Sequence, residues 1–221
     1  MRIVLSTPSR KVHRTGNRCT AHQWADMLSA LGHEVRIVEI EGNCDPIESD
    51  FLVALHGGRS HDVICKFRES HPAGCLVLAL TGTDIYPEPD ERVLESMHLA
   101  DRIVALQDKA LGQIPESERA KAEVIFQGAQ KFGQAIEKSP DYFDVCVVGH
   151  LRKVKDPMRT AAASRQLPAE SRIRILHAGG VLEERYFELV RQEEVENPRY
   201  RYLGELDSEE TAGLIASSHL M

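Results

Sequence analysis

The sequence lacks several of the signals that identify large protein classes. No apolar run approaches the roughly 18 residues of a membrane-spanning helix, and the N-terminal run, Ile3 to Leu5 with Met1 nearby, is too short for a signal peptide. Basic residues are not in excess, because the formal net charge is −7, so nucleic-acid binding is not indicated. The GxGxxG fingerprint of dinucleotide-binding enzymes is also absent. We expect a cytoplasmic protein that binds small molecules and neither nucleic acid nor a membrane.

Cysteine pairs of the CxxC kind are missing as well. The five cysteines are scattered and odd in number, as expected of reduced thiols in the cytoplasm. We therefore predict no metal site and no cofactor beyond the substrates. The sequence does not indicate an oligomeric state.

The sequence does contain a regular alternation of apolar runs and helical patterns. Strands are predicted at residues 2–6, 33–40, 51–56, 101–107 and 122–129, and at 75–84, where the strand opens into a glycine-containing loop. Helices are predicted from near Thr20, at 58–70 and at 91–99. Near-continuous apolar runs, such as FLVALH at 51–56, are typical of parallel strands covered on both faces. The pattern predicts a doubly wound α/β domain over residues 1–140.

A second domain of the same kind is predicted over residues 141–221. Apolar periodicity is lost at 130–141, and the pattern then resumes with strands from Phe143, at 172–180 and at 199–206, and with helices at 156–166, at 182–194 and from Ser208. About 80 residues is short for such a domain. We expect this domain to be incomplete, the natural fold to continue past Met221, and the 221 residues alone to be inactive.

Polar residues at the strand ends of the first domain form one candidate site, because open α/β sheets bind ligands at the carboxyl ends of their strands. Cations and small residues in the first loop suit an anion beside a helix N-terminus. A histidine and an arginine follow a later strand, where they can transfer a proton or bind an anion. We assign His56, Arg59 and Asp84 as catalytic, and Arg10, Lys11, Arg14, Gly16, Asn17, Arg18, Thr81, Gly82 and Thr83 as substrate-binding. A solvated basic loop, a structural histidine and a turn-capping aspartate explain the same residues without a ligand.

The loop VVGHLRKVKD, residues 147–156, forms the candidate site of the second domain. Two cations near a helix N-terminus suit a diphosphate, whose charge has to be neutralised as it leaves. An ordinary solvated loop is the alternative. We assign His150, Arg152, Lys155, Gly179, Gly180 and Leu206 to substrate binding.

Five segments carry a resemblance to a known family. In chain order they are GNRCTAHQWADMLSALGHEVRIVE, FLVALHGGRS, LVLALTGTDIY, VVGHLRKVKDP and NPRYRYLGEL. They resemble the selenosugar synthases of selenoneine biosynthesis, which are glycosyltransferases of the GT-B kind. The resemblance implies two Rossmann-like domains facing a cleft and a metal-independent reaction that joins selenium from selenophosphate to the anomeric carbon of a UDP-sugar, releasing UDP.

The resemblance also implies roles for particular residues. The wider family places an arginine and a lysine on the donor diphosphate. Lys155 matches the lysine, whereas His150 stands at the usual arginine position and Arg152 is its substitute. The Glu-rich donor-sugar motif of the family is not found before Met221.

Two other functions stay open on the sequence. One is a GT-B glycosyltransferase with a hydroxyl acceptor, and the other is a non-catalytic binding module. A small anionic acceptor accounts for the clustered cations of the first domain, whereas a neutral sugar acceptor needs carboxylates and amides.

Overall fold

A computed structural model describes residues 1–8, 16–40, 49–128 and 136–221. The chain forms two compact units, Met1–Ala129 and Gln130–Met221. The sequence places a boundary between residues 140 and 141, and that position stays a prediction, because part of the connecting segment lies outside the described residues.

The first unit contains a parallel sheet with helices between its strands. Its elements are β1 (Arg2–Thr7), α1 (Gly16–Ala30), β2 (Glu34–Glu39), β3 (Phe51–Leu55), α2 (His61–Ser70), β4 (Cys75–Leu80), α3 (Glu91–Leu99), β5 (Arg102–Ala105) and β6 (Ala122–Val124). The six strands are ordered β2-β1-β3-β4-β5-β6, and all neighbouring pairs are parallel. The strand order reverses at β1, as in doubly wound folds.

Apolar side chains cover both faces of this sheet. One buried cluster joins strand residues such as Leu52 and Leu78 to Phe67 of α2 and Met97 of α3. The other joins strand residues such as Leu5 to Ala21 of α1, and Trp24 and Leu28 of the same helix pack against it. Burial on both faces explains why the strands read as near-continuous apolar runs, and it confirms the predicted doubly wound architecture.

Helix α1 begins earlier than the sequence predicts. Gly16, Asn17 and Arg18 form its first turn, whereas apolar periodicity becomes visible only near Thr20. The first residues of the helix are polar and carry no periodic signal. The prediction that Gly16 and Asn17 belong to a loop is therefore wrong.

The second unit repeats the architecture on a smaller scale. Its elements are β7 (Phe143–Val148), α4 (Arg159–Ser164), β8 (Ile173–Ala178), α5 (Glu184–Glu196), β9 (Tyr200–Gly204) and α6 (Ser208–Ser217). The three strands are parallel in the order β7-β8-β9, and Leu220 forms a further parallel bridge to Val145 of β7. The core lies between strands and helices around Ile175, Val190 and Tyr200.

No helix within the described residues is both long enough and apolar enough to cross a membrane.

Candidate functional site

The carboxyl ends of β1, β3 and β4 lie at one edge of the first sheet. The parallel register aligns Ser6 with Ala54 and Leu55 with Ala79, so the loops that follow leave the sheet side by side. The loop after β3 carries His56 and Arg59, and the loop after β4 carries the residues from Thr81 to Asp84. The topology thus places the predicted residues of these two loops together.

Asp84 ties the two loops to each other. Its carboxylate accepts a hydrogen bond from the backbone N–H of Gly57 at 3.0 Å and from that of Thr81 at 2.9 Å. Only 5% of the residue is exposed. Gly82, within the same turn, has a φ of 98°, which glycine adopts without strain. These contacts favour the turn-capping alternative for Asp84, and contact with a substrate stays a prediction.

His56 terminates β3 in an unusual backbone conformation. Its φ is 72°, in the left-handed region that non-glycine residues rarely occupy. The side chain is buried, with Nδ1 accepting from the backbone N–H of Arg59 at 3.3 Å and Nε2 lying 3.3 Å from the hydroxyl of Thr83. Because Nδ1 accepts, the proton of the neutral ring is on Nε2. His56 therefore presents a donor toward Thr83.

The pKa of His56 is lowered. Burial is the main cause, since it disfavours the charged imidazolium, and the positive charge of Arg59 acts in the same direction. The carboxylates of Asp84 and Asp90 oppose the shift. The ring is thus kept neutral near neutral pH, and it can donate a hydrogen bond to an anion without adding charge.

Glycines allow the β3 loop to pack closely on α3. A Cβ at Gly57 would lie 3.1 Å from a methyl group of Val93, and one at Gly58 would lie 3.3 Å from the other. Ser96 of α3 donates to the carbonyl of Gly57 at 3.0 Å. This packing leaves Arg59 exposed, with no ion pair to any of the described residues.

Three hydroxyl groups near this edge have no hydrogen-bond partner within the described part of the chain. They are Ser6 Oγ, Thr7 Oγ1 and Thr81 Oγ1, and both Ser6 and Thr7 are fully buried. Buried polar groups normally have a partner, so these hydroxyls are candidates to bind a ligand or water. Sequence reasoning missed Ser6 and Thr7, because a hydroxyl at a strand end carries no distinctive signal.

The first-loop cations are only partly described. Arg10, Lys11 and Arg14 lie outside the described residues. Arg18, in the first turn of α1, lies 3.8 Å from the carboxylate of Glu39 at the end of β2. The anion site at this helix N-terminus stays a prediction.

Glycines also line the carboxyl edge of the second sheet, and local packing requires two of them. A Cβ at Gly179 would overlap the carbonyl of Gly149, and one at Gly180 would lie 2.9 Å from the carboxylate of Glu205 and 3.2 Å from the ring of His150. The N–H of Gly180 donates to Nδ1 of His150 at 3.0 Å. The structure thus brings together Gly179, Gly180 and His150.

A buried histidine, His177, hydrogen-bonds to the loop that follows β7. The sequence analysis did not select it as a site residue. His177 lies 2.7 Å from the hydroxyl of Tyr200 through Nδ1 and 3.3 Å from the carbonyl of Gly149 through Nε2. The carbonyl can only accept, so Nε2 carries the proton and the Tyr200 hydroxyl donates. Burial lowers the pKa of His177 and raises that of Tyr200. The motif HAGG, residues 177–180, was the available signal for this residue.

Arg152 and Lys155 bracket a short 3₁₀ turn, Lys153–Lys155, that follows β7. Lys155 is exposed and makes no ion pair with a described residue. Arg152 is half-buried, and its Nε is buried with no acceptor among the described residues. Leu206 follows β9, also at this edge of the sheet. The two cations are available to an anionic ligand.

Comparisons with known proteins identify the fold. No protein-family model matches the chain, and no curated protein matches it by sequence. HepE from Anabaena, solved with UDP and glucose, aligns with 99% of this chain and 72% of its own, at 15% identity and a TM-score of 0.62. The catalytic domain of starch synthase IV from Arabidopsis thaliana, bound to ADP and acarbose, aligns with 98% of this chain and 76% of its own, at 9% identity and a TM-score of 0.64.

A third similar structure carries a different enzyme assignment. A Listeria monocytogenes protein assigned as UDP-N-acetylglucosamine 2-epimerase aligns with 98% of this chain and 72% of its own, at 11% identity and a TM-score of 0.57. Identities this low establish the fold alone. The chain has the GT-B type of architecture, with two Rossmann-like parallel-sheet units, and its activity has to be argued from its residues.

Proposed function

We propose that the protein is a glycosyltransferase that uses a UDP-sugar as donor. One observation carries the proposal: the half-buried guanidinium of Arg152, whose Nε is buried without an acceptor among the described residues. An unpaired buried donor costs about 1–3 kcal/mol, and this cost is offset when an anion binds. The position supports a diphosphate, because Arg152 and Lys155 leave the carboxyl end of β7, where GT-B-like sheets bind ligands.

The second unit supplies the chemistry that such a donor needs. Negative charge develops on the diphosphate as the bond to the anomeric carbon breaks, and fixed cations stabilise that charge. Arg152 and Lys155 take this role. The buried pair of His177 and Tyr200 positions their loop, because His177 hydrogen-bonds to the carbonyl of Gly149, three residues before Arg152.

For the acceptor we propose a small selenium-bearing anion, selenophosphate. The proposal rests on the resemblance to selenosugar synthases and on the polar groups at the edge of the first sheet. The exposed cation of Arg59 and the unpartnered hydroxyl of Thr81 are suited to anionic oxygens, and so is the Nε2–H of His56 when an anion replaces the Thr83 hydroxyl as its acceptor. The carboxylate of Asp84, which a sugar hydroxyl would need, is already bound by backbone N–H groups.

The proposed reaction balances without a redox partner. A selenium lone pair forms the C–Se bond at the anomeric carbon while the C–O bond to the diphosphate breaks. UDP leaves with the electron pair of that bond. The phosphoryl group stays on selenium, so the product of this step is a glycosyl selenophosphate, from which water can release the selenosugar and phosphate by cleaving the P–Se bond.

The donor assignment is tested by binding of UDP to the 221-residue chain, measured by calorimetry. We expect Arg152→Ala to weaken UDP binding by at least about tenfold, as loss of a charge-assisted contact does. Arg172→Ala is the matched control, because Arg172 is an exposed arginine at the opposite, amino edge of the same sheet. Equal binding by the two variants would overturn the donor assignment.

The acceptor assignment is tested by mass spectrometry of the reaction products. The protein is incubated with UDP-glucose or UDP-N-acetylglucosamine, each with and without selenophosphate. A selenium-containing sugar and free UDP, both dependent on selenophosphate, are expected. Transfer to a hydroxyl acceptor alone would overturn the selenium assignment but keep a glycosyltransferase, whereas UDP binding with no transfer to any acceptor would indicate a binding module.

A further inference from the structure

Three potential metal ligands meet where α2 and α3 pack against each other, and the proposed function uses none of them. His61 and Cys65 lie one turn apart on α2, and Glu95 lies on α3. Their ligand atoms all lie within 4.8 Å of one another. This group is independent of the sugar-donor site, since it belongs entirely to the helices of the first unit.

We infer that His61, Cys65 and Glu95 form a binding site for a divalent transition-metal ion such as Zn²⁺. Two of the three ligand separations already match those of a tetrahedral zinc centre. His61 Nε2 lies 3.3 Å from a carboxylate oxygen of Glu95 and 3.6 Å from the sulfur of Cys65. Zinc bonds of about 2.0–2.3 Å at tetrahedral angles give ligand separations of about 3.3–3.6 Å.

Ser96 fixes the histidine in the tautomer that a metal requires. Its hydroxyl donates to the carbonyl of Gly57 at 3.0 Å, so its oxygen accepts from Nδ1 of His61 at 3.1 Å. A neutral His61 thus carries its proton on Nδ1 and leaves the lone pair of Nε2, 3.3 Å from a carboxylate oxygen of Glu95, free to bind a metal. Metal-binding histidines are commonly oriented in this way by a hydrogen bond from their other nitrogen.

The charge around the sulfur also favours a cation. The carboxylates of Glu95, Asp62 and Glu69 all act electrostatically on the Cys65 sulfur, and Arg92 is the cation that opposes them. Arg92 is itself paired with Asp62, at 2.7 Å. A divalent ion between the ligands would relieve this excess of negative charge.

The geometry defines what changes when the ion binds. The sulfur lies beside the imidazole ring, 3.6 Å from Nε2 and 3.9 Å from Nδ1, so the Cys65 side chain has to rotate to reach the lone-pair side of Nε2. The Glu95 side chain, 61% exposed, is free to close onto the ion from solvent. Three protein ligands leave a fourth position for water.

The test uses Co²⁺ as a spectroscopic substitute for zinc in the metal-free 221-residue chain. Coordination by a thiolate gives a charge-transfer band in the near ultraviolet. We expect this band in the wild type and its loss in Cys65→Ser. The exposed Cys19 and the half-buried Cys75 provide matched controls, since Cys19→Ser and Cys75→Ser should retain the band.

Zinc affinity, measured by calorimetry, tests Glu95 as a ligand and Ser96 as the residue that orients His61. Glu95→Gln should weaken binding at least about tenfold. Ser96→Ala, which removes the partner of Nδ1 together with the hydrogen bond to the carbonyl of Gly57, should weaken it by about 10- to 100-fold. Both substitutions are small, and far-ultraviolet circular dichroism checks that the variants fold. Absence of the band in the wild type, or its persistence in Cys65→Ser, would show that the three residues form only an ion pair beside a thiol and would overturn the inference.

Discussion

Asp84 offers the sharpest test of how the first candidate site is held together. Replacing Asp84 with alanine removes the acceptor for two backbone N–H groups, those of Gly57 and Thr81. Gly57 is buried and loses its only acceptor among the described residues, which costs about 1–3 kcal/mol. Thr81 is half-buried, so water partly replaces the carboxylate and its loss costs about 1 kcal/mol. We expect the first unit to be destabilised by roughly 2–4 kcal/mol.

Two variants calibrate this value. Asp84→Asn keeps one acceptor oxygen but turns an amide N–H₂ toward a donor, so it should cost about half as much. Asp90→Ala removes an N-cap that accepts a single hydrogen bond, from the N–H of Val93 at 2.9 Å. Loss of an exposed N-cap typically costs about 1 kcal/mol.

The assay is urea unfolding followed by tryptophan fluorescence. The sequence contains one tryptophan, Trp24, which packs against the apolar cluster of the first unit, so its emission reports that unit alone. If Asp84→Ala destabilises the unit no more than Asp90→Ala does, the loops are held by other contacts. Asp84 would then be retained for a ligand rather than for the fold.

Four further substitutions test other residues of the two candidate sites. Burial holds the pKa of folded His56 below its ordinary value of 6.5, so below pH 6.5 the unfolded chain binds a proton that the folded chain excludes. Urea unfolding should therefore show a free energy of unfolding that is complete above about pH 6.5 and falls as the pH drops from there toward the lowered pKa. His56→Asn should flatten that dependence, and an unchanged slope would contradict it. Lys155→Ala should lower kcat/KM for the UDP-sugar by roughly 30- to 1000-fold. Lys155→Arg should restore only part of the lost activity, and a fall below about threefold would exclude the diphosphate role. Arg59→Ala should raise the KM for the anionic acceptor far more than that for the UDP-sugar, with Arg102→Ala, at the opposite edge of the sheet, as control; equal effects on both substrates would refute it. Tyr200→Phe removes the partner of His177 and should destabilise the second unit by about 1–2 kcal/mol, measured by hydrogen exchange of β8 and β9, and unchanged exchange would show that the pair contributes nothing.

The fold was predictable because its signals are local. Apolar runs such as FLVALH identify strands that are covered on both faces, and the structure confirms each predicted strand and helix. The ends were less predictable where polar residues continue an element, as at Gly16 in α1, or where an apolar run outlasts its strand. Strand β6 ends at Val124, although the predicted strand continues through the apolar residues that follow.

Sequence patterns predicted which site residues lie at the carboxyl ends of strands, but not which groups those residues contact. The positions of His56, Asp84 and Arg152 at carboxyl edges follow from parallel topology. Their partners do not, because the bond between Asp84 and Gly57 spans 27 residues. The contact between His61 and Ser96 spans 35 residues. Local pattern carries no information about which distant groups such side chains meet.

The left-handed backbone conformation at His56 lowers the stability of the fold, whereas the histidine side chain is proposed to bind the ligand. For an L-residue with a Cβ, this conformation costs roughly 1–2 kcal/mol, which glycine would not incur. A library randomised at this position and selected only for resistance to unfolding should therefore lose the histidine, with glycine and asparagine replacing it. Selection for ligand capture should keep it. The amino acid that survives each selection would show whether this position serves the fold or the ligand.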